Sequence, residues 1–263
     1  MPSWNPYLAH LLNDVTPVLI SRYLGGGFHS STATTPAQEA ARALAKIGDP
    51  ALKTLQQAAR SEDENVRRLA FKALGQIGDL SSLDLLVNAL QDPSRKVQAS
   101  AAMALGNYHN PIAAQRLMEK YPALDTLARI QLIYSLAQIN DIIVVPFLIE
   151  QSEHASADER AAIALALGKL RDGRALASIL QMSNDPDEIV RANAVYALSG
   201  FYTPHVMDVL VACLADPSAR VRAAAHNSLT KLTGLDLGEN HEHWLQWWQQ
   251  QKQAMSKGKQ SSQ

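Results

Sequence analysis

The residue types in this chain best suited to chemistry are its histidines, its single cysteine and a series of evenly placed arginines. His241, Glu242 and His243 form a run of metal-ligating types. Residues one or two apart on a helix point in different directions, so this trio makes a poor chelate and reads as a solvated helix start. His109, His154, His205 and His226 are scattered and lack paired carboxylates. Zinc-ligand spacing, a nucleophile elbow and a phosphate loop are all missing from the sequence. Gly25, Gly26 and Gly27 lead into Phe28 and His29, not into the lysine and hydroxyl that a phosphate loop needs. Cys213 stands alone, which excludes an internal disulfide, and its apolar surroundings from Val209 to Leu214 predict a buried, inert thiol. These residues predict a non-catalytic protein without metal or cofactor.

The arginines lead to the architecture. Arg67, Arg129, Arg160, Arg191 and Arg222 occupy equivalent positions, with Gln98 in place of one. They form either a basic ladder for an acidic partner or a set of internal bonds to turn aspartates and carbonyls, and the second is the simpler reading. Their frame is a leucine period: Leu74, Leu105, Leu136, Leu167, Leu198 and Leu229 stand 31 residues apart, with Leu44 one step of 30 earlier. Around each leucine the apolar residues recur at helical spacing, as in Val66, Ala70, Ala73, Leu74 and Ile77. A period of this length signals a solenoid, in which stacked neighbours supply the core that no single unit can form.

The chain therefore reads as all-α: an α-solenoid, or superhelix, of about seven helical hairpins with a cap at each end. Residues 1–24, with Trp4, Tyr7, Leu8, Leu11 and Leu12, predict N-terminal capping helices. Residues 25–36 have the composition of a flexible loop. The solenoid is expected over 37–233, with second helices ending near Gly48, Gly78 or Asn110. Between the helices of a unit lies an acidic turn, seen as Asp92-Pro93-Ser94, Asp185-Pro186-Asp187 and Asp216-Pro217-Ser218, where aspartate can cap the second helix or the turn itself. Residues 234–250 hold Trp244, Trp247 and Trp248 on one helical face, a lid for the last repeat, and 251–263 read as a disordered tail.

The segment Val66-Arg67-Arg68-Leu69-Ala70-Phe71-Lys72-Ala73-Leu74-Gly75-Gln76-Ile77-Gly78-Asp79 resembles the HEAT-like repeat named after phycobilin lyases, and Val221-Arg222-Ala223-Ala224-Ala225 is similar to its opening. The resemblance extends over about residues 37–233 and implies a HEAT-type α-solenoid. It implies no single activity, because such repeats serve scaffolds, chromophore lyases, a metal hydroxylase and DNA glycosylases. The hydroxylase branch implies His-Glu dipeptides on several repeats holding two irons, whereas the only His-Glu here, His241-Glu242, lies outside the repeats.

The second helix of each unit also has a face turned from its own core, at positions six before, two before and one after the repeat leucine. In this architecture such helices line a concave surface. The positions read Arg68, Lys72, Gly75; Ala99, Met103, Gly106; Ile130, Tyr134, Ala137; Ala161, Leu165, Gly168; Ala192, Tyr196, Ser199; and Ala223, Asn227, Thr230. A small, apolar stripe with one large residue per unit predicts a binding groove, with Lys72, Met103, Ile130, Tyr134, Leu165, Tyr196 and Asn227 as its partner-binding residues. The alternative is that helix packing already covers these side chains. The function expected is a non-catalytic scaffold or adaptor holding a helix or extended segment of another protein; the runner-up is a bilin lyase or chromophore chaperone, with a tetrapyrrole in the groove. A net charge of -1 and only Arg68 and Lys72 on that face speak against nucleic acid. The sequence has no apolar run near the roughly 20 residues of a membrane span and no basic leader, so the expectation is no membrane and a cytoplasmic location.

Overall fold

A computed structural model of the chain describes residue 47 and residues 49–260. The expected N-terminal caps, the 25–36 loop and the start of the solenoid around Leu44 lie outside the described residues, as do 261–263. Thirteen α-helices and no strand occur among the described residues: α1 (Asp49–Ala58), α2 (Glu64–Ile77), α3 (Leu83–Asn88), α4 (Arg95–Gly106), α5 (Pro111–Lys120), α6 (Thr126–Ile139), α7 (Val145–Ser152), α8 (Ala157–Leu170), α9 (Leu176–Met182), α10 (Glu188–Leu198), α11 (Pro204–Cys213), α12 (Ala219–Thr233) and α13 (His241–Gln260). They divide into two compact units, the first ending at Asp141 and the second beginning at Ile142. Unit one holds the hairpins α1/α2, α3/α4 and α5/α6. Unit two holds α7/α8, α9/α10 and α11/α12, closed by α13.

The repeat pattern becomes core as its spacing dictates. Leu74, Leu105, Leu136, Leu167, Leu198 and Leu229 are all fully buried, and so are Val97, Val190 and Val221 one face-width earlier on their helices. Each such leucine removes enough apolar surface from water to contribute about 2 kcal/mol relative to exposure. Second helices pack side by side within each unit, α2 with α4 and α4 with α6, then α8 with α10 and α10 with α12.

Helix ends follow local chemistry. Gly78, with φ of 71°, ends α2 in the left-handed conformation that lets its N–H reach the Leu74 carbonyl. Asn140 and Arg171 take the same conformation after α6 and α8. Asn110 plays the opposite part to the stop expected of it. The helix ends at Gly106, and the Asn110 side chain accepts the Ile112 N–H as the N-cap of α5, with Pro111 in the first turn. The acidic turns are capped by their own aspartates: Asp92, Asp185 and Asp216 accept the backbone N–H two residues on, at 2.8, 2.9 and 2.8 Å.

At the C-terminal end, α13 lies against α11. Trp244 and Trp248 are buried; the Trp248 Nε1–H donates to Asp208 Oδ1 at 2.7 Å, and the Trp244 Nε1–H to the Gly238 carbonyl at 2.8 Å. The helix runs on through Gln260, past residue 250, into the stretch whose composition reads as a tail.

Candidate functional site

The face of each unit formed by the second helices is narrower than the three-residue stripe drawn from the helical wheel. The position after the repeat leucine is a packing seam. A β-carbon on Gly75 would lie 2.3 Å from Ala104 Cβ and 2.4 Å from its Cα, and one on Gly168 would lie 2.4 Å from Ala197 Cβ. Ala137 and Ser199 fill the same position and are buried. Neighbouring second helices are also joined by buried hydroxyls, Ser135 Oγ donating to the Ala102 carbonyl at 2.9 Å and Ser228 Oγ to the Val195 carbonyl at 3.0 Å. Of the positions six before the leucine, Ala161 and Ala192 are buried and Ile130 is half-buried.

What protrudes is the position two before the leucine. In unit one Lys72 is exposed, Met103 is 65% exposed and Tyr134 43%. In unit two Leu165 is half-buried, Tyr196 is 53% exposed and Asn227 is exposed. Each unit therefore presents a ridge of one side chain per helix, rising from a floor of glycine, alanine and serine.

The arginines belong to the fold. The Arg67, Arg160 and Arg191 guanidinium groups each donate through Nε and Nη2 to both oxygens of an aspartate one hairpin on, Asp92, Asp185 and Asp216, at 2.7–3.1 Å. Their remaining N–H groups reach turn carbonyls, as Arg67 does to Ser61 and Glu62. Arg222 donates to the Asp216 and Pro217 carbonyls, Arg129 to those of Tyr121 and Pro122, and Gln98 to that of Asp92. Burial alone would raise the three aspartates, but the arginine hydrogen bonds, the turn N–H groups and the nearby positive charge together hold each below the ordinary carboxylate value.

A model of HEAT repeats matches residues 29–106 and 145–230 of this sequence. The chain belongs to the HEAT-repeat family. No curated protein matches it. Among solved structures it is similar to the E. coli protein YibA, at 19% identity over 77% of each chain with a TM-score of 0.51. It is also similar to an archaeal HEAT-like repeats protein from Thermococcus onnurineus (16% identity, 89% of this chain and 98% of that one, TM-score 0.49). A third similarity is to the CpcE–CpcF complex of phycocyanin lyase from Nostoc (17% identity, 95% and 96%, TM-score 0.42). At these identities the likeness is one of fold.

In this HEAT-repeat protein the remaining chemical candidates stay apart. His241 and His243 lie in the first turn of α13, whose start is capped by Asn240 Oδ1 accepting from the Glu242 and His243 N–H groups. Among the described residues no three His, Cys, Asp or Glu side chains converge as a metal site would require. Cys213 is half-buried, and desolvation pushes its thiol up to about 11. Among the described residues no helix is long and apolar enough to cross a membrane. Sequence reasoning passed over Lys231, which stands four residues after Asn227 and reaches Ser199 Oγ at 3.1 Å and the Tyr196 ring at 5.6 Å. The clue was Lys169 at the same repeat position, four after Leu165. It also passed over a cleft of about 250 Å³ between α7 and α9, lined by Ile149, Ser152, Arg160, Ser178, Met182 and Asp185 among others.

Proposed function

We propose that this HEAT-repeat protein is a non-catalytic interaction scaffold whose second-helix faces hold a helix or extended segment of a partner protein. The observation that carries the reading is the ridge. Met103, Tyr134 and Tyr196 stand exposed at one repeat position while the position after each repeat leucine is used up in helix packing. Scattered apolar residues on a surface are ordinary, but large ones that recur at a single repeat position, as Met103 and Tyr134 do on neighbouring helices of unit one and Tyr196 does in unit two, form a surface for which the fold itself has no use. Tyrosine suits such a role because its ring offers area at low entropic cost and its hydroxyl fixes orientation. The floor of small residues leaves room for a backbone to lie beside the ridge.

The test replaces Tyr134 and Tyr196 by alanine, together and singly. Because about half of each tyrosine already faces solvent, the helical melting curve stays nearly unchanged, while affinity for a captured and identified partner falls about tenfold or more, as expected when central aromatic contacts are lost. Unaltered affinity rejects the face. Adding free bilin to the same variants separates the chromophore reading: a visible absorption band that shifts with wild-type protein and not with Tyr196→Ala would favour a tetrapyrrole as occupant.

A further inference from the structure

The unit-two face carries a second feature beside its ridge. Lys169 and Lys231 stand in the last turns of α8 and α12, each one helical turn beyond a ridge residue, and Gly200 holds the equivalent repeat position just past the end of α10. The partial negative charge of a helix C-terminus favours a cation there and leaves the ammonium facing outward. Among the described residues no carboxylate pairs with either lysine. Lys231 spends one of its three donors on Ser199 Oγ and lies over the Tyr196 ring. The aspartates that follow these helices are engaged, Asp172 by Arg174 and Asp236 by His226. Ammonium groups, a phenol and a serine hydroxyl thus border an apolar ridge, and neither ammonium is neutralised by a carboxylate among the described residues.

We propose that the occupant of this face is an acidic protein segment, with one carboxylate received by Lys231 and the Tyr196 hydroxyl, a second by Lys169, and an apolar residue between them on Leu165 and Tyr196. This rests on the reading of the second-helix face as a docking surface and adds the chemistry of what docks. Helices packed about 8–10 Å apart place the two lysines, two steps away from each other, about 16–20 Å apart. An extended chain rises about 3.3 Å per residue, so its carboxylates would stand about six residues apart. A helix would need about twelve residues for the same span. With an apolar ridge and a few separate cations on this face, Arg171 beside Gly200 among them, a protein segment fits better than a nucleic acid strand, whose phosphates would demand a continuous basic track.

The experiment uses the full chain and fluorescein-labelled extended peptides that share one apolar core and differ only in the two residues six apart: Glu, Gln or Lys. Fluorescence anisotropy should show the Glu peptide binding about tenfold tighter than the Gln peptide, and the Lys peptide weaker than both. The double variant Lys169→Gln with Lys231→Gln should bring the Glu peptide down to the Gln level, leave the Gln peptide unchanged and keep the wild-type melting curve. Raising salt from about 0.05 to 0.5 M should remove the same difference. Equal affinities for Glu and Gln peptides, with Tyr196→Ala still weakening both, would overturn the acidic partner and leave the docking face standing. Binding of no peptide, or binding indifferent to Tyr196→Ala, would overturn both. A preference for the Lys peptide, or tighter binding of a labelled single-stranded oligonucleotide, would overturn the acidic segment as occupant.

Discussion

Replacing Gly75 with alanine adds a single methyl group, and two opposing effects decide its outcome. In an isolated helix the change is favourable, because alanine exceeds glycine in helix propensity by about 0.8–1 kcal/mol. In the folded unit the new β-carbon would meet Ala104 Cβ at 2.3 Å and Ala104 Cα at 2.4 Å, against a comfortable separation of about 3.5–4.0 Å between carbons. The obstacle is backbone and its directly attached β-carbon, so no side-chain rotation relieves it, and α2 must move about an ångström away from α4. Overpacking of this kind costs about 1–3 kcal/mol, and displacement along a whole helix seam belongs at the upper end, leaving about 2 kcal/mol of net destabilisation after the propensity gain. Urea unfolding followed by far-UV circular dichroism should show the midpoint falling by about 1 M for Gly75→Ala, given a slope of about 2 kcal/mol per molar. Gly168→Ala, whose β-carbon would meet Ala197 Cβ at 2.4 Å, should behave alike. Gly173→Ala meets nothing within 4 Å and should be neutral within error. A Gly75→Ala midpoint equal to or above wild type would refute the claim that the second helices are in backbone-to-backbone contact at this seam.

The arginine–aspartate ladder predicts a direction for acid stability: the folded pKa values of Asp92, Asp185 and Asp216 lie below their unfolded values, so the contribution is present above about pH 4 and is lost as pH falls through the lowered values. Asp185→Asn should flatten part of that acid dependence and cost about 1–3 kcal/mol near neutrality, read by urea midpoints across pH; an unchanged acid profile would remove the ladder from the stability account. Trp248→Ala, which empties a buried site on α13 and leaves Asp208 with only its Lys252 partner, should cost about 3–5 kcal/mol and speed amide hydrogen exchange in α11 and α12, while exchange in unit one stays as it was. With its thiol pushed up to about 11 by burial, Cys213 should react with a disulfide reagent at pH 8 far more slowly in the folded protein than in urea, and equal rates would contradict its burial.

Fold and site differ in how far they could be read from residue order. The leucine period, the apolar spacing around each leucine and the Asp-Pro turns are local patterns. Helical geometry sets Leu74, Leu105 and Leu198 on the faces that stacking buries and lets Asp92 and Asp216 cap their own turns. The tryptophan spacing likewise placed Trp244 and Trp248 against the last hairpin. Asn110 was misread as a helix stop because asparagine suits both ends of a helix, and only the Pro111 that follows makes it a start.

The candidate face depended on distances between helices, which a helical wheel does not contain. The wheel identifies the side of α2 or α8 turned from its own core, but not how near the neighbouring second helix lies. Because that gap closes to the thickness of a glycine at Gly75 and Gly168, the position after the leucine became seam, and the position two before it was left to protrude in each unit, as Lys72, Met103 and Tyr134 in one and Leu165, Tyr196 and Asn227 in the other. The same holds for partner choice across repeats. That Arg160 takes Asp185 and that Lys231 leans over Tyr196 are consequences of stacking one hairpin on the next, through contacts between residues 25 to 35 positions apart. Composition and period select the building block; the packing distance between blocks selects which of its side chains face solvent.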